Sequence, residues 1–226
     1  MRAEDSARVV LTPIATPLPL TFVGLLIAST ILSALELGWI PAAQSHQAGW
    51  VLLAVPIPLQ LLAAYFGFQG RSASAATGSS TLAAAWLGIA LDLITAPAGS
   101  FNPSSSTGML ALGVAAALLI PALSDARGGS ILPAATLAFA SSRFVLTGIT
   151  GLTHSVGLKH ATGVVGWCVA AVALYAALAL ELELEGSRNA GLLPTFRRSQ
   201  SRSALVAPLD EQVVGLENEA GVRKNL

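Results

Sequence analysis

The stretch "TPLPLTFVGLLIASTILSALE" (residues 16–36) contains no charged side chain before its last residue, Glu36. An uncharged apolar run of roughly 18 residues or more is long enough to cross the hydrocarbon core of a bilayer as a helix. The rest of the chain has a similar composition, since 54% of all residues are hydrophobic and only 11% are charged. A typical soluble domain is about 25% charged. The sequence therefore predicts an integral membrane protein.

Six apolar segments of this kind predict an all-α, polytopic membrane protein with six transmembrane helices, the first two interrupted by proline. Turn-rich stretches such as "PAAQSHQ" and "THSVGLKH" separate the segments. The predicted spans are residues 18–40, 48–68, 79–96, 107–123, 132–151 and 162–184. They divide the chain into an N-terminal segment (1–17), a transmembrane domain (18–184) and a C-terminal tail (185–226).

The distribution of arginine and lysine predicts the orientation in the membrane. Because the number of predicted spans is even, both termini lie on the same side. The loops on the opposite side carry only one basic residue, Lys159. The side of the termini carries Arg2, Arg8, Arg71, Arg127, Arg188, Arg197, Arg198 and Arg202. Since basic residues are concentrated on the cytoplasmic side of membrane proteins, we predict that both termini are cytoplasmic.

Each of the first two spans contains a Pro-x-Pro-Leu motif. Pro17 and Pro19 lie at the cytoplasmic start of span one, where the first helical turn tolerates proline, and the apolar residues before them predict an extended segment at membrane depth. Pro56 and Pro58 lie in the middle of span two, where they predict a break or kink. Backbone carbonyls that lose their helical partners at that depth need hydrogen bonds from protein or from a water-filled path. Gln60 can supply polar contacts to such a path. A kink can also serve plain packing, so both interpretations stay open.

Helix faces with small and polar residues predict which side of a span packs against protein rather than lipid. The predicted inward faces are Thr136, Ala140, Arg143, Thr147 and Thr150 in span five, Thr81, Ala85, Gly88, Asp92 and Thr95 in span three, and Ser29, Ser33 and Glu36 in span one. The faces predicted to meet lipid carry Leu137, Phe144 and Ile149 in span five, and Leu82, Trp86, Ile89 and Leu93 in span three.

Three of the inward residues are charged, namely Glu36, Asp92 and Arg143, and all three fall in the outer half of their spans. An isolated charge within a span costs about 2.5–3.5 kcal/mol on insertion scales, so we expect Arg143 to pair with Asp92, with Glu36 or with both. Two interpretations remain open. Either the cluster is an ion pair that holds three helices in register, or Arg143 also attracts an anionic substrate, and an under-compensated carboxylate would then suit proton coupling.

The segment "TPLPLTF" (residues 16–22) resembles the Asn-Pro-Ala-Pro-Leu-Gly-Leu signature of the acetate uptake transporter family, the succinate–acetate permeases. Three positions match the signature: Pro17, Pro19 and Leu20. Four positions depart from it: Thr16, Leu18, Thr21 and Phe22. The match is thus carried by the prolines and the leucine.

A second segment, "TGSSTLAAAW" (residues 77–86), is similar to the family's Thr-Ala-Phe-Ser-Ser-Tyr-Gly-x-Phe-Trp. The matching residues are Thr77, Ser80 and Trp86, with Thr81 as a conservative change. Leu82 and Ala83 stand where the family has Tyr-Gly, and Gln60 fits a glutamine of its second helix. Strings such as "LELGWIP", "PLQLLAAYFGF" and "SRFVLTG" extend the resemblance to a bacterial branch of the family over nearly the whole chain.

The resemblance implies six helices around a substrate path, a homo-oligomer (a hexamer) in the lipid bilayer of the bacterial plasma membrane, and passage of acetate or succinate with protons. The predicted path residues, from the motifs and the prolines together, are Thr16, Pro17, Pro19, Leu20, Pro56, Pro58, Gln60, Thr77, Ser80, Thr81 and Trp86.

Several other function classes find no support in the sequence. No Gly-x-Ser-x-Gly, His-Glu-x-x-His or Walker-type motif is present, so we expect neither an enzyme nor a cofactor. His46, His154 and His160 fall in predicted outer loops at spacings unlike a metal site. A formal net charge of zero does not suggest a nucleic-acid partner. Cys168, in an apolar run, is expected to be buried and inert.

The leading hypothesis is a channel or secondary transporter for small monocarboxylates, with acetate first. One alternative is a non-transporting membrane scaffold of the same fold, which the departures from the family signature favour. A channel for small neutral solutes is another alternative.

Overall fold

The computed structural model describes residues 16–97, 101–184 and 193–196, and within these ranges it contains helices and no strand. The helices are α1 (Leu18–Glu36), a short 3-10 helix (Ala42–Gln44), α2 (Ser45–Ala54), α3 (Pro56–Gln69), α4 (Ala73–Thr95), α5 (Ser105–Arg127), α6 (Ile131–Thr153) and α7 (Val156–Leu184). Because α2 and α3 follow each other within one span, the described residues form six spans that are long and apolar enough to cross a membrane. The predicted all-α, six-span fold is confirmed.

Several span boundaries differ from the prediction. Helix α1 ends at Glu36 rather than at residue 40, because Gly38 adopts φ +76° and turns the chain. Helix α4 begins at Ala73 rather than at residue 79. Helix α7 begins at Val156, so the outer loop predicted around Lys159 is in fact the first turns of a helix. The predicted N-terminal segment and C-terminal tail lie almost entirely outside the described residues.

The two proline motifs have different effects on the backbone. Pro17 precedes the first residue of α1 and Pro19 lies in its first turn, so helix one is continuous and the predicted interruption is wrong there. In span two the predicted break is confirmed, since α2 ends at Ala54 and α3 begins at Pro56. The residue between them, Val55, has φ −116° and ψ −71°. Prolines have no N–H, so two carbonyls on the preceding turn lose their regular helical partners.

Helices α5 and α6 approach each other closely at three glycines. A Cβ atom built on Gly151 would lie 2.8 Å from the Cα of Gly108, and one on Gly108 would lie 3.0 Å from the carbonyl oxygen of Gly148. Ser141 of α6 donates a hydrogen bond to the Ala115 carbonyl of α5 at 2.7 Å. Small residues at such crossings let backbones touch, as is common between membrane helices.

The predicted inward face of α6 is confirmed, but its predicted lipid face is partly wrong. All five small and polar residues of the stripe are buried. Leu137 and Phe144, which were expected to meet lipid, are also fully buried, and only Ile149 is exposed. Helix α6 packs between α5 and α7, so its protein-facing arc is much wider than one stripe.

The face prediction for α4 is wrong for most residues. Leu82, Trp86, Ile89 and Leu93 point into the protein, whereas Thr95 is exposed. Among the residues predicted to face inward, only Ala85 is buried. Thr81, Gly88 and Asp92 are half-buried. Helix α4 contacts α1, α2, α3 and α5, and large side chains are needed to fill the interior among them at normal packing density.

The single cysteine also differs from expectation. Cys168 is exposed on α7, because it lies on the outward arc of that helix between the buried positions Gly166 and Val169. On a membrane-spanning helix such an arc faces lipid or another protein chain.

Candidate functional site

Helices α1 and α6 bring Glu36 and Arg143 together in a buried ion pair. The Nη2 atom of Arg143 donates to the Oε2 atom of Glu36 at 3.0 Å. The arginine is 1% exposed and the glutamate 7% exposed. Of the two carboxylates predicted as partners of Arg143, Glu36 is the one that binds it. A buried pair of this kind depends on both members, because removing one leaves an uncompensated charge.

Residues of three helices surround the guanidinium. A methyl group on Gly166 of α7 would overlap the Nε atom of Arg143 and the hydroxyl of Ser33 on α1, so only glycine leaves room for this arrangement. On α4, the ring of Trp86 lies 6.0 Å from the Cζ atom of Arg143, which is within the range of a cation–π contact.

This environment has hydrogen-bonding capacity that the protein does not use. Beside the pair, the Nε of Arg143, the Nε1 of Trp86 and the hydroxyl of Ser33 have no protein partner. The hydroxyl of Ser29, about two turns from Glu36 along α1, has none either. Buried polar groups usually have partners, so each such group calls for an explanation. All four can donate a hydrogen bond, which is the chemistry that recognises a carboxylate.

Asp92 forms no ion pair with Arg143, so of the three pairings that the sequence left open the structure contains the one with Glu36 alone among the described residues. The Oδ2 atom of Asp92 accepts a hydrogen bond from the Ser104 amide at 2.9 Å. The Ser104 hydroxyl in turn accepts from the amide of Thr107 at 3.2 Å and caps the start of α5. Nearby, the Nε2 atom of His46 and the carbonyl of Ala96 are 2.8 Å apart. Asp92 therefore ties the end of α4 to the start of α5.

We expect Asp92→Ala to lower the free energy of unfolding by about 1 kcal/mol, because the Ser104 amide loses its acceptor. Asp92→Asn should be nearly neutral, since its side-chain oxygen can still accept that bond. Thermal unfolding of the purified variants in one detergent measures both effects. Equal damage by the two substitutions would mean that the negative charge matters and would contradict this assignment.

Two cavities open beside Glu36 and Phe101, at the end of the molecule where α4 is joined to α5. The larger has a volume of about 230 Å³. It is lined by Leu35, Glu36, Gly38, Ile40, Pro41, Ala42, Phe101, Val156, Lys159 and His160. The smaller, of about 20 Å³, reaches between α1, α4, α5 and α6 and includes Asp92, Thr107 and Thr147. Glu36 and Phe101 line both cavities.

A second polar cluster lies near the start of α1, away from the ion pair. The amide nitrogen of the Gln60 side chain donates to the carbonyl of Thr21 at 3.4 Å. The Thr21 hydroxyl lies 2.6 Å from the hydroxyl of Ser79. A Cβ atom on Gly24 would lie 2.7 Å from the side chain of Gln60, so a glycine admits this glutamine. Gln60 is fully buried, as expected for the residue that follows the break in span two.

The remaining predicted path residues divide between interior and surface. Pro17, Pro19, Pro56 and Trp86 are buried, whereas Thr16, Leu20, Ser80 and Thr81 are half-buried. The Ser80 hydroxyl donates to the Ala76 carbonyl of its own helix at 2.8 Å. Pro58 and Thr77 are exposed, because they lie on the outer arcs of α3 and α4. These two residues do not face the interior of a single chain.

Large apolar side chains fill the interior between the two polar clusters. These residues are all fully buried and belong to one hydrophobic core: Phe22, Leu25, Leu82, Trp86 and Phe144. The rings of Trp86 and Phe144 lie 5.1 Å apart, centroid to centroid. A solute that crosses the protein along this line would have to pass these side chains.

Sequence reasoning missed several residues that build the two clusters. Thr21 stands at a position that departs from the family signature, and Ser79 lies in the second motif without matching a distinctive residue. Gly24 and Gly166 could have been noticed, because a glycine inside a long apolar span often marks a close approach. Nothing in the sequence indicated that Phe101 would lie beside Lys159.

The described fold is similar to a solved structure of the bacterial acetate channel SatP, with a TM-score of 0.66. The two chains are 17% identical, and the match covers 76% of this chain and 94% of that chain. This similarity confirms the fold that the resemblance implied. Neither a protein-family model nor a curated protein matches the sequence.

Proposed function

We propose that this protein conducts small monocarboxylates, with acetate first, across the bacterial plasma membrane, with both termini in the cytoplasm. The observation that carries the proposal is the buried arginine on α6, whose Nε is free of protein partners while Nη2 binds a single carboxylate. A fold shared with an acetate channel supports the same substrate class. Succinate is the second substrate to consider.

The proposed path begins at the outer cavities and leads to the pair of Glu36 and Arg143. From there it passes the hydroxyls of Ser29 and Ser33 and continues along α1 to the cluster at Gln60. The proposed path therefore connects the buried polar groups of the two clusters. The apolar side chains between the clusters have to move aside for passage, which suits selection for a short alkyl chain.

Proton linkage is part of the proposal because of the charges involved. The pair of Glu36 and Arg143 is neutral as a unit, so a carboxylate anion that binds there adds one uncompensated negative charge in a region of low polarity. A proton taken up by Glu36 from the outer cavity cancels that charge and frees Arg143 for the substrate. The other titratable groups near Glu36 are Lys159 and His160 of α7 and Asp92 of α4.

The oligomeric state is proposed from the resemblance, as a homo-oligomer and specifically a hexamer. Many large apolar side chains are exposed on the single chain, including Trp50, Tyr65 and Phe68 of span two. Such side chains meet lipid or neighbouring copies of a membrane protein.

Uptake of labelled acetate into proteoliposomes at two external pH values tests the proposal, with empty liposomes subtracted to remove passive diffusion of acetic acid. The wild-type protein should take up acetate faster at the lower pH. Glu36→Gln should lose this dependence, because it cannot accept the proton. Asp92→Asn, which keeps its bond to Ser104, is the matched control and should behave like the wild type.

A non-transporting scaffold is the second candidate, and the fully filled interior around Phe22, Leu82 and Phe144 favours it. Uptake no greater than in empty liposomes for acetate, succinate and glycerol would support the scaffold. Uptake of glycerol alone would identify a channel for neutral solutes.

A further inference from the structure

We propose that Lys159 and the outer cavity form a capture site for small carboxylates that lies ahead of Arg143. This inference rests on the proposed function and extends it to a second binding site on the same route. The sequence alone did not indicate this site, because Lys159 was predicted to lie in an outer loop rather than on α7.

The geometry holds Lys159 at the wall of the larger cavity. Its Nζ atom donates to the Phe101 carbonyl at 2.6 Å and lies 4.6 Å from the centre of the Phe101 ring. An ammonium group has three donors, and this bond uses one of them. The cavity volume of about 230 Å³ greatly exceeds the roughly 10–15 Å³ that a single water needs, so a carboxylate of a few carbon atoms fits.

The charge of the cavity favours an anion. Its one carboxylate, Glu36, is already engaged by Arg143, and among the described residues no carboxylate forms a salt bridge with Lys159. His160 adds positive charge when it is protonated. A carboxylate oxygen is a stronger acceptor for an ammonium than the neutral Phe101 carbonyl, so an incoming anion can compete for Lys159.

The walls of the cavity suit the remainder of such a ligand. Leu35, Ile40 and Val156 present apolar surface beside the ammonium. One cation with a short apolar wall matches a monocarboxylate with a small alkyl group better than it matches an inorganic anion. Since Glu36 and Phe101 also line the smaller cavity, a captured anion is one step from the ion pair.

A labelling experiment detects binding without relying on transport. Ile40→Cys places a thiol in the cavity, in a Cys168→Ser background because the native cysteine is exposed. Acetate should slow the reaction of this thiol with the neutral reagent N-ethylmaleimide, and chloride at the same concentration should not. Adding Lys159→Gln should abolish the protection. Protection that is absent, equal for chloride, or unaffected by Lys159→Gln would overturn the proposal.

Transport kinetics provide the second measurement. In the same Cys168→Ser background, Lys159→Cys should raise the KM for acetate influx roughly three- to ten-fold through loss of a charge-assisted contact, with little change in maximal rate. Reaction with aminoethyl methanethiosulfonate, which restores an ammonium, should lower the KM again, whereas the sulfonatoethyl reagent should not. Arg127→Cys, an exposed site at the other end of the bundle, is the control and should respond to neither reagent.

The two measurements separate this inference from the proposed function. Acetate uptake with an unchanged KM in Lys159→Cys would sink the capture site and leave monocarboxylate conduction standing. Absence of uptake together with Lys159-dependent protection would instead support the site and contradict conduction.

Discussion

Replacing Arg143 with alanine is expected to lower the free energy of unfolding by about 3–5 kcal/mol. The reason is that Glu36 would remain buried on α1 without the cation of its ion pair. The loss should appear as a lower yield of monodisperse protein in detergent and a lower midpoint of thermal unfolding.

A double-mutant cycle separates pairing from other roles of the arginine. Glu36→Gln should be milder than Arg143→Ala, because the guanidinium keeps Trp86 and a neutral acceptor beside it. The charge-swapped pair Glu36→Arg with Arg143→Glu should recover part of the loss that each swap causes alone. If the effects of the two swaps simply add, the ion pair contributes no coupling energy and the assignment is wrong.

Gly166→Ala is expected to destabilise the protein by about 1–3 kcal/mol, a typical cost of overpacking. The added methyl group would overlap Arg143 and Ser33, and the arginine cannot withdraw easily because Glu36 holds it. Thermal unfolding in the same detergent as the other variants measures the loss. Uptake of acetate should fall in parallel, since the guanidinium is displaced.

Gly113→Ala is the matched control for this substitution. Both glycines lie inside long helices, but a Cβ atom on Gly113 would meet nothing within 4 Å. Alanine is the better helix former by about 1 kcal/mol in water, so Gly113→Ala should be neutral or slightly stabilising. Equal losses at the two positions would show that helix propensity or lipid contact, rather than the crowding of Arg143, decides the outcome.

The prediction about Pro56 came from local chemistry, and the structure agrees with it. A proline has no N–H wherever the helix lies, so two prolines close together in mid-span favour a break there. A single proline does not dictate one, since Pro121 lies inside the continuous helix α5. The same reasoning overreached at Pro19, because a proline in the first turn removes a donor that has no partner there in any case. Whether a proline breaks a helix thus depended on where the helix begins, to within a few residues.

The buried face of a helix was predictable where polar side chains determine it, and not where the volume of apolar side chains determines it. On α6, burying Arg143 in protein avoids the cost of placing a charge in lipid, and its stripe was assigned correctly. On α4 the competition is between apolar side chains, for which lipid and protein interior are similar solvents. Packing then decides, and it turned Trp86 and Leu82 inward to fill the space among four neighbouring helices.

Residue chemistry alone predicts the all-α class, the six spans, the break before Pro56 and the need of Arg143 for a buried partner. Each follows from a local rule: apolar length, a missing amide hydrogen, or the cost of a charge in hydrocarbon. Only the tertiary structure chose Glu36 over Asp92 as that partner, and only it brought Lys159 to Phe101 and Gln60 to Gly24. Those choices depend on helix rotation and on crossings at particular glycines, which are set by the packing of all the helices together.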